Sequence, residues 1–440
     1  MTTVERDVKN LYTEFTYPKY DETIDDASNP FLQSYNLFSF LEQFNYYNYS
    51  GSKHSFDNFK VLIAGSGVGN DLLQMNLLLN QYKNYKIVGI DLSPTCVNVV
   101  KGRIREYNAK NCEVHNISIL DLNETMFGKF DYIICIGVLH HLENPTEGLN
   151  RLKSVLKEDG MLNVMVYGKI GRTGVYQMQD MLKLINSSTN KNTYQQQIST
   201  FKDIYKSLPH TNWFKHTDKL ISDHKTSDEG IVDLLLHCQD VSYNIKELFE
   251  WIEKSNLQHV EFTPYYRWKY NYTNPTISLS LENINQRCKY MINELYFGDI
   301  ICHTFYLSNN KSKQCRLENL DNVLLYVLFD KSELISFLNN NPKNTEIVYN
   351  AIPSKLLKYN NRTYKITFST TTFSVQFTNT YIIQSILEYI DGVTTTRTIF
   401  QLVRDKLSNP YSNEMLLNIF RPIYEKFKLY DGMLLKTNVF

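Results

Sequence analysis

Three glycines that follow an apolar run are the residues of this sequence best suited to hold a small ligand. Gly65, Gly67 and Gly69 come after KVLIAG and before DLLQMNLLLNQY, whose apolar spacing predicts a helix. Glycine lets the backbone approach a ligand closely, and the first amides of a helix attract a carboxylate or phosphate. Such a turn also occurs in loops that bind nothing, so by itself it leaves both interpretations open.

An aspartate at the end of the next apolar run favours the ligand-binding interpretation. Asp91 ends the run KIVGID, and a carboxylate at the end of the second strand of a doubly wound sheet can accept hydrogen bonds from both ribose hydroxyls. The alternative is that Asp91 only caps the next helix, but Ser93 and Pro94 supply that signal without it. The third glycine of the turn comes one residue earlier than in the Gly-x-Gly-x-x-Gly pattern of dinucleotide sites. The pattern therefore indicates a nucleoside-containing cofactor.

The elements that must position these residues alternate between strand and helix. Apolar, β-branched runs occur at 60–65, 86–91, 112–118, 130–137 and 160–168. Helical spacing separates them, and Asn144, Pro145 and Glu147 form the start signal of one such helix, which we expect over 146–158. Strands that alternate with helices pair in parallel and are buried on both faces. We therefore predict an α/β fold with a Rossmann-like, doubly wound, mostly parallel sheet.

The rest of the chain divides by composition around this sheet. We predict an N-terminal flap over 1–50, a core over 51–168, a helical cap that contributes to substrate binding over 169–310, and a separate small α+β domain over 316–440. The predicted cap contains helices near 174–186, 193–207, 228–238 and from Asn244 to about 254. The polar stretch NNKSKQ reads as a linker, and RTYKITFS with TFSVQFT predicts a hairpin. Helices that accompany this hairpin and a terminal strand make the last domain winged-helix-like.

Composition excludes several classes of protein. The chain has 440 residues, and 46 basic side chains balance 46 acidic ones, which disfavours nucleic acid as the main partner. Seven scattered cysteines without Cys-x-x-Cys indicate a reducing, cytoplasmic compartment and no metal site. The N-terminus lacks the layout of a signal peptide, and no run of 18 apolar residues predicts a membrane span. The oligomeric state stays open.

Residues 60–168 resemble the class I S-adenosylmethionine-dependent methyltransferases. The resemblance rests on the glycine turn, Asp91, the segment HNISILDL and the series VLHHL, helix, LKEDG and strand. A narrower resemblance, to bacterial members with an N-terminal flap and an appended C-terminal domain, covers much of 1–260. There YTEFTYPKY is similar to the Tyr-x-x-x-Pro-Tyr-Pro-Arg-Trp flap, YGKIGR to a Tyr-x-x-x-Gly-Arg segment, and the stretch 233–248 to a later Leu-His motif. The C-terminal module faintly resembles the tails of certain protein-lysine methyltransferases.

The resemblance implies S-adenosylmethionine as the cofactor. It implies cofactor contacts at Gly65, Ser66, Gly67, Gly69, Asp91, Leu92, Ser118, Ile119 and Gly137. Within this set, Asp91 would hold the ribose, Ser118 and Ile119 the adenine, and the Gly137 carbonyl the methionine ammonium. Two positions depart from the family pattern, because Ile63 stands where an acidic residue is usual and Ser118 where aspartate is usual. Asp121 is expected to cap a loop.

The catalytic and acceptor-side residues follow from the same resemblance. His140, after the fourth strand, would position or deprotonate an acceptor, whereas His141 would face the core. Tyr17 would face the reacting methyl group, where an aromatic ring stabilises a sulfonium by cation–π attraction. The further acceptor-side candidates are Tyr12, Tyr20, Tyr167, Arg172, Tyr176, His237 and Tyr243. The alternative for each is a structural role, with the tyrosines packing the flap and the polar groups bonding within the cap.

The acceptor class is narrowed by what the sequence lacks. Enzymes that methylate the amino groups of bases or amides carry Asn/Asp-Pro-Pro-Tyr/Phe after the fourth strand, and this chain has no Pro-Pro at all. We therefore predict a methyltransferase acting on a protein or peptide side chain in preference to a small metabolite. The alternatives are a non-catalytic S-adenosylmethionine-binding scaffold and a nucleotide-binding oxidoreductase.

Overall fold

The computed structural model describes most of the chain. It covers residues 2–17, 41–189, 193–263, 268, 281, 283–310, 315–327, 329–351, 354–359, 362–367 and 373–438, with backbone alone at 354–359, 362–367 and 373. Tyr20, most of the aromatic segment 264–270 and the linker residues 311–314 lie outside the described residues.

A central sheet organises the molecule around strands that are buried on both faces. Its strands are β1 (Lys60–Ala64), β2 (Lys86–Asp91), β3 (Cys112–Asn116), β4 (Phe130–Ile136), β5 (Leu156–Gly168), β6 (Ser242–Tyr243), β7 (Gln258–Phe262) and β8 (Cys302–Ser308). They are ordered β3-β2-β1-β4-β5-β8-β7, and β6 pairs with the end of β5. The first five strands run parallel, whereas β8 is antiparallel to both β5 and β7. This order confirms the predicted Rossmann-like, mostly parallel fold.

Helices precede, cover and follow this sheet. They are α1 (Thr3–Glu14), α2 (Leu41–Tyr49), α3 (Asn70–Leu79), α4 (Pro94–Glu106), α5 (Glu124–Phe127), α6 (Pro145–Ser154), α7 (Thr173–Ser188), α8 (Tyr194–Ser207), α9 (Trp213–Thr217), α10 (Asp223–Thr226), α11 (Asp228–Leu235), α12 (Ile245–Lys254) and α13 (Gln286–Phe297). The start signals act as the sequence predicts, since the Asn144 side chain accepts the Glu147 amide and Asn244 forms a capping box with Glu247.

Two local features differ from the expectation. The helix predicted over 146–158 ends at Ser154, and β5 begins at Leu156, because an irregularity in the β4–β5 pairing lets Leu156 pair with Phe130 before the register continues at Tyr132. The strands β7 and β8, which complete the sheet, lie within the range predicted as a helical cap. They form an antiparallel pair without a regular strand–helix rhythm, so that signal did not reveal them.

The C-terminal residues form a second group of elements. These are β9 (Val323–Tyr326), α14 (Lys331–Asn340), β10 (Glu346–Ala351), β11 (Ser354–Tyr359), β12 (Arg362–Thr367), β13 (Phe373–Thr378), α15 (Tyr381–Tyr389), α16 (Thr396–Leu407), α17 (Asn413–Lys428) and β14 (Met433–Lys436). The predicted hairpin of RTYKITFS with TFSVQFT is wrong, because β12 pairs with β11 and β13 with β10. The terminal strand β14 pairs with β9. The winged-helix-like class and the domain bounds stay predictions.

Three apolar clusters hold the layers together. One covers the sheet face that carries α2 and α3 and continues into the C-terminal elements through side chains such as Leu324, Phe329 and Leu434. A second covers the opposite face, under α6 and α12. The third joins α7, α8 and α11, and Leu11 and Phe15 of the N-terminal segment insert into it. The N-terminal helix is therefore packed against the helices that follow β5, above the carboxyl ends of the strands. None of the described helices has both the length and the apolarity to cross a bilayer.

Candidate functional site

The glycine turn at the end of β1 keeps one side of the backbone open. Gly65 has a φ of +81°, and a Cβ there would lie 2.2 Å from Val138, so a side chain does not fit. A Cβ at Gly67 would meet nothing nearer than the Tyr17 carbonyl oxygen at 3.9 Å. Gly69 instead starts α3 in a left-handed conformation and packs against Val100. The turn therefore presents Gly65 and Gly67 to the space above β1, and Gly69 shapes the helix behind it.

Asp91 stands beside this turn at the end of β2. One carboxylate oxygen accepts the Gly67 amide at 2.8 Å and the other accepts the Ser93 amide at 2.9 Å. Burial raises the pKa of Asp91 to about 6, although the hydrogen bonds from the Ser93 and Gly67 amides oppose that rise. A carboxylate accepts about four hydrogen bonds, so two amides leave capacity for the paired hydroxyls of a sugar.

A cavity of about 450 Å³ opens over the turn and Asp91, within the range of small-molecule sites. Most of the residues predicted to contact the cofactor line it, namely Gly65, Ser66, Gly67, Asp91, Leu92, Ser118, Ile119 and Gly137. Gly69 is the predicted contact that does not line the cavity. The structure thus brings together residues from the ends of β1, β2, β3 and β4 around one space.

The lining fits a ligand with a nucleoside at one end and a polar group at the other. The Ser66 hydroxyl is buried and finds no hydrogen-bond partner among the described residues, although it lies in the glycine turn. Such an orphaned group fits a polar ligand atom. Apolar side chains, including Ile119 and Leu142, form walls suited to a base. The same described residues contain no cluster of His, Cys, Asp or Glu suited to a metal ion.

The N-terminal segment forms one wall of the cavity. The Tyr12 hydroxyl donates to Asp233 of α11 at 2.7 Å, and the Tyr17 hydroxyl bonds to Asp223 of α10. All four side chains line the cavity. Burial raises the pKa of Asp233 above its usual range. This end of the site is therefore aromatic and acidic, and sequence reasoning did not anticipate Asp223 or Asp233.

Arg172 and Tyr167 also line the cavity. The guanidinium carbon of Arg172 lies 3.5 Å from the centre of the Tyr167 ring, and Nη2 is 3.8 Å from Asp240. Arg172 is only 4% exposed, and its Nε and Nη2 atoms make no hydrogen bond within the described part of the chain. Because buried guanidinium donors are costly to leave unpaired, these two atoms suit a polar atom of a bound molecule.

The two adjacent histidines exchange the positions that the sequence predicts for them. His141 lines the cavity, and its Nδ1 lies 2.7 Å from the Gln239 carbonyl oxygen. His140 lies outside the lining, fully buried, with its ring 3.9 Å from that of Tyr167. Burial holds the pKa of His140 well below its usual range. The expectation that His140 faces the acceptor and His141 faces the core is therefore wrong in placement, because the turn after β4 directs the second imidazole, which is also buried, to the cavity.

The remaining predicted residues of the cap support the wall without forming it. His237 stacks on His141 at 3.8 Å and lines a smaller neighbouring cavity of about 280 Å³. Tyr176 bonds to Asp240 at 3.4 Å, and Tyr243 stacks on Trp251 at 5.0 Å. Neither tyrosine lines the larger cavity, so both hold the cap in place.

One lining residue had only a structural signal in the sequence. Glu5 closes the capping box at the start of α1 with Thr2, and its carboxylate also accepts a hydrogen bond from Ser118 at 2.6 Å. A Thr-x-x-Glu pattern predicts a helix start. It carries no information about a partner 113 residues away.

Comparisons with known proteins agree with this geometry. A family model described as "Methyltransferase domain" matches residues 62–162. An uncharacterized protein of Rickettsia prowazekii is 30% identical over 177 residues, covering 38% of this chain and 69% of that protein. An uncharacterized protein of Synechococcus sp. is 28% identical over 270 residues, covering 60% of this chain, and the match spans only 64% of that relative's length.

A solved structure resembles nearly the whole chain. It is that of PKMT2 from Rickettsia typhi in complex with AdoHcy, with a TM-score of 0.61 and 20% sequence identity. The match covers 96% of this chain and 76% of that one. At this identity the likeness shows that the two chains share a fold.

Proposed function

Because the chain belongs to the class I S-adenosylmethionine-dependent methyltransferases, we propose that it transfers a methyl group to a protein or peptide side chain. The observation that carries the proposal is Asp91, whose carboxylate stands beside the glycine turn and faces a cavity of about 450 Å³. S-adenosylmethionine is the cofactor, and it supplies an electrophilic methyl group on a sulfonium. We assign its ribose to Asp91 and its methionine end to the turn and Gly137.

The chain's own contribution is to orient the reactants and to exclude water. Methyl transfer needs an in-line approach, and holding two reactants in that geometry accelerates a reaction strongly. Tyr12 and Tyr17 form the N-terminal wall of the cavity, and their hydrogen bonds to Asp233 and Asp223 fix that wall in place. The same rings supply the aromatic faces that favour a positively charged group.

We assign to His141 the role of the base that takes a proton from the acceptor. Its Nδ1 faces a carbonyl oxygen, which only accepts, so Nδ1 carries the hydrogen and Nε2 is the ring atom left to bind a proton. A base is needed only when the acceptor atom is protonated at neutral pH. We therefore transfer to His141 the role that the sequence suggests for His140.

A protein or peptide acceptor has two lines of support. PKMT2, a protein lysine methyltransferase by its abbreviated name, shares the fold along almost the whole chain. The acceptor end of the cavity contains both acceptors and donors of hydrogen bonds, namely the carboxyl groups of Asp223 and Asp233 and the orphaned donor atoms of Arg172. A peptide also offers both, through its backbone amides and carbonyls, so this mixed lining supports a protein or peptide acceptor. The proposal includes a reducing compartment such as the cytoplasm, because the seven cysteines are scattered along the sequence without a Cys-x-x-Cys pattern.

Transfer of tritiated methyl groups into cell extract tests the proposal. Extract incubated with the chain and labelled S-adenosylmethionine is divided and treated with protease, nuclease or organic solvent. We expect the label in the protease-sensitive fraction, and D91N as a control should give much less label at the same low cofactor concentration, because it binds the cofactor more weakly. Label in the organic fraction would instead indicate a small-molecule acceptor, and label in the nuclease-sensitive fraction would indicate a nucleic acid.

Calorimetric titration with S-adenosylmethionine, its demethylated product and NAD separates the two remaining alternatives. We expect both sulfur compounds to bind and NAD not to bind. Binding of the product without transfer to any fraction would indicate a non-catalytic scaffold. Binding of NAD alone would indicate an oxidoreductase and would contradict the proposal.

A further inference from the structure

The nucleoside end of the cavity contains a carboxylate that does not come from the sheet. Glu5 lies in the first turn of α1, is 5% exposed and lines the cavity. One carboxylate oxygen accepts the Ser118 hydroxyl at 2.6 Å, and the other accepts the Thr2 amide at 2.8 Å. A buried carboxylate at the wall of a ligand cavity is costly unless hydrogen-bond donors surround it. The position of Glu5 in the lining therefore suggests that it binds part of the ligand.

The order of the strands places Glu5 next to the expected position of the adenine base. Along the edge of the sheet the cavity passes from β4 and β1 to β2 and then to β3. With the sugar at Asp91 on β2 and the methionine end at β1 and β4, the base must lie toward β3. Ser118 and Ile119 follow β3, and Glu5 is bonded directly to Ser118.

The hydrogen bonds of Ser118 decide which side chain faces the base. The Ser118 hydroxyl gives its hydrogen to Glu5 and accepts the Leu120 amide at 3.1 Å, so it has no hydrogen left to donate and only one lone pair left to accept. A carboxylate oxygen is a stronger hydrogen-bond acceptor than a hydroxyl oxygen, and the Glu5 carboxylate lines the cavity beside Ser118. Glu5 is thus a better acceptor for an amino group than the serine that the sequence suggests.

Resting on the proposed function, we infer that Glu5 accepts the exocyclic amino group of adenine, with Ser118 as the residue that orients the Glu5 carboxylate. The cofactor site is then completed by the N-terminal helix, which reaches the end of β3 across the chain. The Ser93 hydroxyl accordingly bonds to the Tyr12 carbonyl at 3.2 Å, which ties α1 to the start of α4 beside Asp91. Docking of α1 and binding of the nucleoside are therefore coupled.

E5Q tests the inference while preserving the fold. Glutamine at the third helical position makes the same capping box as glutamate, so α1 keeps its start. The change replaces an acceptor oxygen by an amide that also donates. Calorimetry measures the dissociation constants of S-adenosylhomocysteine and of S-inosylhomocysteine, whose base carries an oxygen in place of the amino group. The matched control is E14Q, which makes the same change at an exposed position of the same helix.

The readout is the ratio of the two dissociation constants. The wild-type chain and E14Q should prefer the adenine compound by ~10-fold or more, since an unpaired buried polar group is strongly disfavoured. E5Q should lose most of that preference, because its amide can donate to the oxygen of the inosine base. S118A should keep a larger preference than E5Q, because it removes only the residue that orients the carboxylate.

Three outcomes overturn the inference. Equal weakening of both compounds in E5Q would assign Glu5 a purely structural role. Unchanged dissociation constants for both compounds in E5Q would show that another group binds the amino group, and a loss of preference confined to S118A would return that role to Ser118. If the wild-type chain binds neither compound, the proposed function fails together with the inference, so the two failures are distinguishable.

Discussion

At the scale of single residues, the site depends on groups whose hydrogen bonds are only partly used within the chain. The Ser66 hydroxyl and two donor atoms of Arg172 are buried without hydrogen-bond partners among the described residues. Asp91 has both oxygens engaged by amides but keeps further accepting capacity. Buried polar groups are ordinarily satisfied, so orphaned groups that line a cavity are suited to bind a polar ligand there.

Binding of S-adenosylhomocysteine should weaken as the pH falls through the range of the Asp91 carboxyl. Its pKa is raised to about 6, so below that value the protonated group accepts fewer hydrogen bonds and the dissociation constant rises. D91N should bind ~10-fold or more weakly near neutral pH and should lose this acid dependence. Titration calorimetry between pH 5 and 8 measures both effects, and D121N, at an exposed carboxylate beyond β3, is the control. A pH dependence that persists in D91N would assign it to another group.

Substitutions at the two histidines should have opposite consequences. In H141N the amide can still donate to the Gln239 carbonyl, but the atom equivalent to Nε2 is gone, so methyl transfer should fall by ~100-fold or more. H140F keeps a ring against Tyr167 and should keep transfer near the wild-type level. Transfer is measured as incorporation of label into the responding fraction of the extract. If H140F alone abolished transfer, the catalytic role would return to His140.

At the scale of elements, α1 is both a wall of the cavity and part of the cap. Leu11 and Phe15 anchor it in the apolar cluster between α7, α8 and α11. Tyr12 adds a hydrogen bond to Asp233, a carboxylate 221 residues away in sequence. The helix therefore connects the nucleoside end of the site with its acceptor end.

Removing the Tyr12 hydroxyl should loosen this helix. In Y12F the buried Asp233 loses the donor at 2.7 Å, which costs about 1–3 kcal/mol of docking free energy. Hydrogen exchange of the α1 amides should become faster, and the dissociation constant of S-adenosylhomocysteine should rise because Glu5 is less well held. T13A, at an exposed position of the same helix, is the control. Unchanged exchange in Y12F would mean that apolar packing alone holds α1.

At the scale of the whole molecule, the C-terminal elements share an apolar cluster with the sheet. Asp431, in the turn before β14, accepts hydrogen bonds from Tyr47 at 2.6 Å and Gln43 at 2.9 Å, both in α2. Burial raises the pKa of Asp431 to about 6 and that of the nearby Glu261 to about 7. A buried acidic group thus lies in the contact between the two parts of the chain.

This burial should make stability depend on pH in a defined direction. The pKa of Asp431 is raised above its unfolded value of 3.8, so the favourable contribution is complete below pH 4 and is lost as pH rises through 6. The loss from this group amounts to about 3 kcal/mol at most. The thermal midpoint of D431N should therefore rise relative to wild type between pH 4 and 7, whereas exposed D405N should not. A constant difference between D431N and wild type across this range would contradict the assignment.

The features that the sequence predicted correctly are those that depend on residues close to one another along the chain. The alternation of apolar runs predicted β1 to β5, and Asn144 and Asn244 predicted the helix starts at which they act as caps. The glycine turn and Asp91 were recognisable because a sharp turn and a ribose contact restrict residue types at short spacing. The start of β5 was misjudged by a few residues, since a pairing irregularity with β4 depends on a separate strand.

By itself the sequence determined the mostly parallel sheet, the turn at Gly65 to Gly69 and the carboxylate of Asp91, because periodicity and turn geometry act over a few residues. Only the tertiary structure decided that His141 faces the cavity, that β12 pairs with β11, and that Glu5 meets Ser118. Those contacts join residues that are distant in sequence or select between adjacent ones. Packing chooses them, and a single sequence carries no local signal of that choice.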